Sequence, residues 1–296
     1  MRLPVGFYCS NYYAFDAFRK LLADPRLEPR FCVGLDERRF TSSGMAAYYY
    51  QGSRYYSLAM SHGLPSYLTR DLNAATALHR AIAGANVDYV FAMGWPDLLA
   101  THVLDLPRKG TIGVHPSLLP AYRGGAPLNW QLIEGASRIG VSSFFFAAQV
   151  DAGNVIHQAE FDAPPSASVV QFVEEVYSPA TWAVFDRTID MLLRGETGRP
   201  IDAAQGSYRR RRTPDDGALD LSRPAADVVR FVNAQSLPFP RAFVLVEGVK
   251  YFVNAAALLS AESALPPGTV VRIDESTLDA CAGDRAIVRL SGASRD

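Results

Sequence analysis

Short apolar runs recur through the first half of this chain, at Leu3–Tyr8, Arg30–Gly34, Val87–Met93 and Thr111–Val114. Each has the length of a buried strand rather than of a helix. Between them, Ala14–Leu22 and Thr69–Ala83 carry apolar residues at helical spacing. Strands that alternate with helices join one sheet through crossovers, so the pattern predicts an α/β, Rossmann-like, doubly wound N-terminal domain built on a parallel sheet. In such a sheet ligands bind beyond the carboxyl ends of the strands. His115 stands where the run Thr111–Val114 gives way to a loop, and Asp151 follows 36 residues later, at the end of a further apolar run, Val141–Val150. The reading places an imidazole and a carboxylate at strand ends on one rim.

The rest of the chain suggests a second domain. With 296 residues, 49% of them hydrophobic, there is material for two cores. Ala167–Leu193 is read as helices closing the first domain, and the cluster Gly195, Gly198 and Pro200 as a linker. Beyond it come a helix at Pro224–Ala234 and short strands at Ala242–Glu247, Lys250–Ala255, Thr269–Asp274 and Ala286–Leu290. That pattern fits a small OB-like β-barrel. The expected domains are residues 1–200 and 201–296.

Composition narrows the partners. A net charge of −1 gives no electrostatic footprint for a nucleic acid and argues against a tRNA partner. The one strong basic run, Arg209–Arg212, is read as a solvated linker or a contact for a phosphate-bearing substrate. Cys9, Cys32 and Cys281 are few and widely spaced, which implies neither a disulfide framework nor a metal site. The chain opens with no signal peptide and contains no apolar stretch of membrane-spanning length, so a soluble cytoplasmic protein is expected. It is compatible with a homodimer. No Gly-x-Gly-x-x-Gly follows the first strand, and Ser10-Asn11 is read as a plain connector. The tyrosines at 48–50 and 55–56 read as a surface loop packed by its own aromatics, or as a lid beside a substrate.

The segment around His115 is more specific. It contains His115, Ser117-Leu118-Leu119-Pro120, Arg123-Gly124, Pro127, Gly140-Val141-Ser142 and Asp151-Ala152-Gly153, in that order. This series resembles the folate-dependent formyltransferases, a family that includes methionyl-tRNA formyltransferase and the enzymes that N-formylate nucleotide-linked amino sugars. Tyr208–Gly217 and Leu237–Phe243 resemble the junction and second domain of the same enzymes, and Ala126–Trp130 leans toward the amino-sugar branch.

The resemblance implies 10-formyltetrahydrofolate as donor and the amine of a small molecule as acceptor. It implies a pterin pocket with three walls: Met93, Gly94, Trp95, Asp97, Leu98 and Leu99; Ser117, Leu118, Leu119 and Pro120; and Ala147, Gln149 and Val150. Trp95 reads either as a stacking plane for an aromatic ligand or as ordinary packing. His115 takes the acid/base role, since imidazole titrates near neutral pH, and Asp151 tunes and orients it. Gly113 is the departure. There the family carries an asparagine whose amide stabilises the oxyanion, and loss of one such donor costs about a hundredfold to a thousandfold in rate. Another donor has replaced it, a water or backbone N–H sits there, or the reaction has changed.

The function expected is formyl transfer to a nucleotide-linked amino sugar or a specialised-metabolite amine. The alternatives are a diverged one-carbon or acyl transferase and a non-catalytic folate- or metabolite-binding protein.

Overall fold

The computed structural model describes residues 2–40, 50–163, 168–237 and 239–295. Tyr48 and Tyr49 of the tyrosine-rich segment lie outside the described residues. The chain divides into two compact units. The first comprises Met1–Gly124, Gly140–Glu160 and Glu174–Tyr208, the second Gly125–Ile139, Phe161–Val173 and Arg209–Asp296.

The first unit is organised by a seven-stranded sheet. Its strands are β1 (Leu3–Cys9), β2 (Leu27–Leu35), β3 (Ser66–Thr69), β4 (Tyr89–Met93), β5 (Gly110–His115), β7 (Arg138–Phe145) and β8 (Val155–Asp162), while β6 (Arg123–Gly124) pairs outside it with β9 (Tyr208–Arg209). The order is β3-β2-β1-β4-β5-β7-β8. Strands β1 to β5 pair in parallel, as expected of alternating strands and helices. The order reverses between β1 and β4, which makes their carboxyl ends the switch point where α/β sheets bind ligands. Cys9 pairs with Met93 and Ala92 with Gly113, so the ends of β1, β4 and β5 are level.

The sheet departs from the sequence reading at its edges. β7 runs antiparallel to β5, with His115 opposite Ser142 and Gly113 opposite Phe144. It also stops at Phe145, where the expected run continued to Val150. The Phe146 amide donates to the Thr111 carbonyl and Ala147–Gln149 lie exposed, so Asp151 sits in a turn and not at a strand end. β3 falls where a helix was expected to begin, and the helix starts later, at Thr76. Four half-exposed residues carry too little apolar signal to be seen. β2 begins earlier than expected and includes Pro29, near the register shift at Val5/Gly6. Aromatic rings fill the core beneath the sheet: Phe7 meets Phe18 edge-on at 5.1 Å, and Phe91 meets Phe185 at 5.3 Å. From Val169 the expected helical run is continuous, a one-turn α-helix (Val169–Phe172), a π-helical stretch (Val173–Tyr177) and the helix Ser178–Leu193, which buries Val184, Phe185, Ile189 and Leu192.

The second unit is a small antiparallel β domain. Strands β10 (Ala242–Val246), β11 (Val249–Val253) and β16 (Ser294–Arg295) form one sheet. Strands β12 (Ala255–Ser260), β15 (Ile287–Ser291), β14 (Thr277–Cys281) and β13 (Val270–Ile273) form another, in that order. The helix Ala225–Asn233 buries Val228 and Val232, and its Asn233 amide brackets Ala256 of β12 with bonds of 2.9 and 3.3 Å.

The basic run is only partly engaged, for Arg210 and Arg211 are exposed while Arg209 and Arg212 are half-buried. Arg209 holds Glu134 through bonds of 2.8 and 3.0 Å, and Arg210 pairs with Asp216. The Arg212 guanidinium lies 4.6 Å over the Trp130 ring and bonds Gln235 at 2.7 Å, and burial pulls its pKa down. Asn129 donates to the Ala234 carbonyl at 2.7 Å, so Ala126–Trp130 is bound into the same packing. Among the described residues no helix is long and apolar enough to cross a membrane.

Candidate active site

His115 is the last residue of β5 and is buried. The chain then curls back. The Ser117 amide donates to the His115 carbonyl at 2.9 Å, and the Ser117 hydroxyl donates to the Ala121 carbonyl at 2.6 Å. The curl brings the Tyr122 carbonyl within 2.8 Å of His115 Nε2. Two residues on, the Gly124 amide donates to Asp151 Oδ2 at 2.8 Å, and the same oxygen lies 3.5 Å from His115 Nδ1. Between them Arg123 is buried. Its guanidinium donates to the Val150 carbonyl at 3.3 Å and to the Ala203 carbonyl at 3.1 Å. Three consecutive residues thus hold both members of the pair. The backbone is strained to do so, with positive φ at Tyr122 (54°), Gly124 (98°) and Asp151 (47°). Non-glycine residues adopt this region rarely and at a cost met by the surrounding structure.

The contacts fix the tautomer. A carbonyl only accepts, so Nε2 carries the hydrogen that bonds Tyr122. In the neutral ring Nδ1 then holds the lone pair, facing a carboxylate. Nδ1 is therefore the ring atom that faces the Asp151 carboxylate, 3.5 Å away.

The residues expected to line a donor pocket differ in burial and anchoring. Met93, Trp95 and Leu99 are buried, whereas Leu98 is exposed. Gly94 has φ +64°, and the space a Cβ would need is filled by the Asn11 amide, which donates to the Gly94 carbonyl at 3.2 Å. Asp97 is bound by both Nη atoms of Arg39 at 2.6 and 2.8 Å, which raises the Arg39 pKa. Asn73 pins the Leu98 carbonyl and the Ala100 amide, each at 2.8 Å. In the second wall the buried Ser142 hydroxyl donates to the Ser117 carbonyl (2.6 Å) and accepts from the Leu119 amide (3.1 Å). Gln158 donates to Ser142 and to the Leu119 carbonyl. Leu118 packs over Gly140, and the Pro120 carbonyl accepts from the Ser207 amide at 3.2 Å. In the third wall Ala147 and Gln149 are exposed, and Val150 is held by Arg123.

Trp95 packs in the core with its ring 5.9 Å from that of Tyr8, while its Nε1 is buried without a partner. The connector reading of Ser10-Asn11 missed a similar feature. Both residues are buried, and Ser10 Oγ, Asn11 Oδ1 and the Tyr8 hydroxyl lack partners. Burial drives the Tyr8 phenol pKa up, so it stays protonated. By strand spacing Ser10 stands roughly 10 Å across the sheet from His115, at the switch point. Composition gave no sign of it, because burial of a Ser-Asn turn follows from strand order. Tyr122 and Gly124 act through backbone groups and carry no side-chain signal either. Tyr50 is buried and stacks on Phe40 at 4.2 Å, and Tyr55 is buried on the helix Gly52–Ser61 against Phe15 and Phe18, so the described part of this segment is core packing and not a surface loop.

Two family models match in order along the chain. The one described as formyl transferase matches residues 48–188, and the one described as formyl transferase, C-terminal domain, matches residues 211–291, together three quarters of the chain. Similar solved structures include an N-formyltransferase from Helicobacter canadensis in complex with folinic acid and dTDP-3-aminofucose. It shares 12% identity over 99% of this chain and 100% of its own, with a TM-score of 0.66. A 4-N formyltransferase from Francisella tularensis shares 15% identity over 85% of this chain and 96% of its own, with a TM-score of 0.66. HypX from Aquifex aeolicus, solved with tetrahydrofolic acid, shares 16% identity over 98% of this chain and 44% of its own, with a TM-score of 0.65. The chain therefore spans less than half the length of HypX, and at these identities the likeness is one of fold. Both domain models belong to one family and occur in its order, so the chain belongs to the formyl transferase family.

Proposed function

We propose that this protein transfers a formyl group from 10-formyltetrahydrofolate to the amine of a small molecule in the cytoplasm, with residues 1–200 as the catalytic domain and 201–296 as the OB-like domain. The observation that carries the reading is the His115–Asp151 pair, clamped by Tyr122–Gly124 in a chain of this family. A nucleotide-linked amino sugar is the favoured acceptor, supported by the sugar nucleotide bound in the similar Helicobacter canadensis protein. The engagement of Arg209, Arg210 and Arg212 within their own unit argues against a tRNA track there.

Met93–Leu99, Ser117–Pro120 and Ala147–Val150 are the segments that would hold the donor. The buried, unpartnered Trp95 N–H fits a ligand rich in acceptor atoms. When bound, the donor supplies the formyl group. His115 takes the proton that the amine loses on attack and returns one to the departing nitrogen. Asp151 balances the imidazolium, and the Gly124 amide keeps Oδ2 aimed at Nδ1. A non-catalytic folate-binding protein remains the second reading, favoured by Gly113, which has no side chain to donate. Calorimetry with 5-formyltetrahydrofolate tests the donor pocket. Binding in the micromolar range is expected, and no heat at millimolar ligand overturns the assignment.

A further inference from the structure

Gly113 and His115 are two residues apart on β5, and alternate residues of a strand face the same side of a sheet. A side chain at 113 would therefore project on the side from which the imidazole does. That space is already filled. A Cβ at Gly113 would come 2.9 Å from Cζ and 3.1 Å from Cδ1 of Phe146, with Cε1 closer still. The Phe146 amide is tied to the Thr111 carbonyl at 2.8 Å, so its backbone is fixed alongside β5.

The ring has further neighbours. It stacks on Phe144 with centroids 5.3 Å apart, and the Phe144 ring meets the His115 imidazole edge-on at 6.2 Å. Phe146 also packs against the core cluster that contains Trp95 and Leu99, and against the cluster that contains Leu119. One side chain joins two of the expected donor walls to the strand that bears His115.

Resting on the formyl-transfer reading above, we propose that Phe146 is the specificity-determining residue of this site and that it forms one unit with Gly113. The ring takes the volume of a 113 side chain, closes the inner end of the donor pocket and sets the size and polarity beside His115. Glycine is then required at 113 because of Phe146, and a polar side chain introduced there alone displaces the ring. Once the ring is truncated, the same side chain has room, and an N–H donor at that point can reach the formyl oxygen.

The test is a cycle of four proteins: wild type, Gly113→Asn, Phe146→Ala and the double variant. Steady-state kcat and KM for 10-formyltetrahydrofolate, calorimetric Kd for 5-formyltetrahydrofolate and Tm are measured for each. Gly113→Asn should lower kcat/KM at least tenfold. Phe146→Ala should raise the donor KM several-fold with kcat within about threefold, and Phe146→Leu should bring KM back toward wild type. Adding asparagine to the Phe146→Ala protein should raise kcat about tenfold or more, consistent with one well-placed donor. The sign of the asparagine effect thus reverses with Phe146. Additive effects in the cycle, or wild-type kinetics in Gly113→Asn, overturn the proposal. If Phe146→Ala fails to fold, Phe146→Leu completes the cycle. If no variant, wild type included, formylates any amine while the Kd and Tm cycles remain coupled, the formyl-transfer reading fails and the pairing of 113 with 146 stands; additive Kd and Tm values defeat the pairing as well.

Discussion

Replacing Asp151 by asparagine preserves shape and removes one charge, which isolates the electrostatic part of the proposed mechanism. At 3.5 Å from Nδ1, the carboxylate interacts with an imidazolium by roughly 1 kcal/mol in a water-like medium and roughly 5 kcal/mol at an effective dielectric of 20. The pair is mostly buried, with side-chain exposures of 8% and 18%, so the upper part of that range applies. A loss of about 3 to 4 kcal/mol from the transition state corresponds to a fall in kcat of about two to three orders of magnitude. The structural cost is smaller. The Gly124 amide still finds a carbonyl oxygen, and exchanging a charge-assisted bond for a neutral one costs about 1 kcal/mol. Steady-state formyl transfer and chemical denaturation, run on the same preparation, separate the two effects. An Asp151→Asn protein with kcat within threefold of wild type refutes the argument, and so does one whose activity loss is fully matched by unfolding.

His115→Asn should abolish turnover and leave Tm within a few degrees, because an amide cannot exchange protons near neutral pH; turnover near wild type removes His115 from the mechanism. Arg39→Ala unties Asp97 and should raise the donor KM more than it changes kcat, since the Met93–Leu99 loop loses one of its side-chain anchors and keeps Asn11 on Gly94 and Asn73 on Leu98. Asp279 opposes Arg289 across β14 and β15 with two bonds of 2.8 Å, and that guanidinium holds the carboxyl below its usual range. Its contribution is full above about pH 4, the unfolded value, and is lost as pH falls through the depressed folded value, so Asp279→Asn should flatten the acid limb of a stability-pH profile.

The sheet and the motif were legible because buried strands leave apolar runs and the motif residues are local in sequence. His115 falls at the end of β5 as read, and β1 to β5 are parallel. The reversal of β7 was not legible, since Val141–Phe145 is apolar in either direction. Asp151 is legible from its place in the motif, but the chain that leads to its turn is set by Phe146 bonding Thr111, a contact 35 residues apart in sequence. The partners of Arg209 and Arg212, Glu134 and Gln235, lie far off in sequence and are met only on folding, whereas Arg210 stays exposed beside Asp216. The space a side chain at 113 would need is likewise filled by a ring 33 residues away.

In the proposed reaction His115 and Asp151 move a formyl group from 10-formyltetrahydrofolate to an amine. Single-turnover transfer with 10-formyltetrahydrofolate carrying an isotopically labelled formyl carbon, against a panel of amino sugars linked to nucleotides and other small amines, tests it most directly. Label should pass to at least one amine with wild type and to none with His115→Asn. Label that stays on folate with every amine, in a protein that binds the donor, would contradict it.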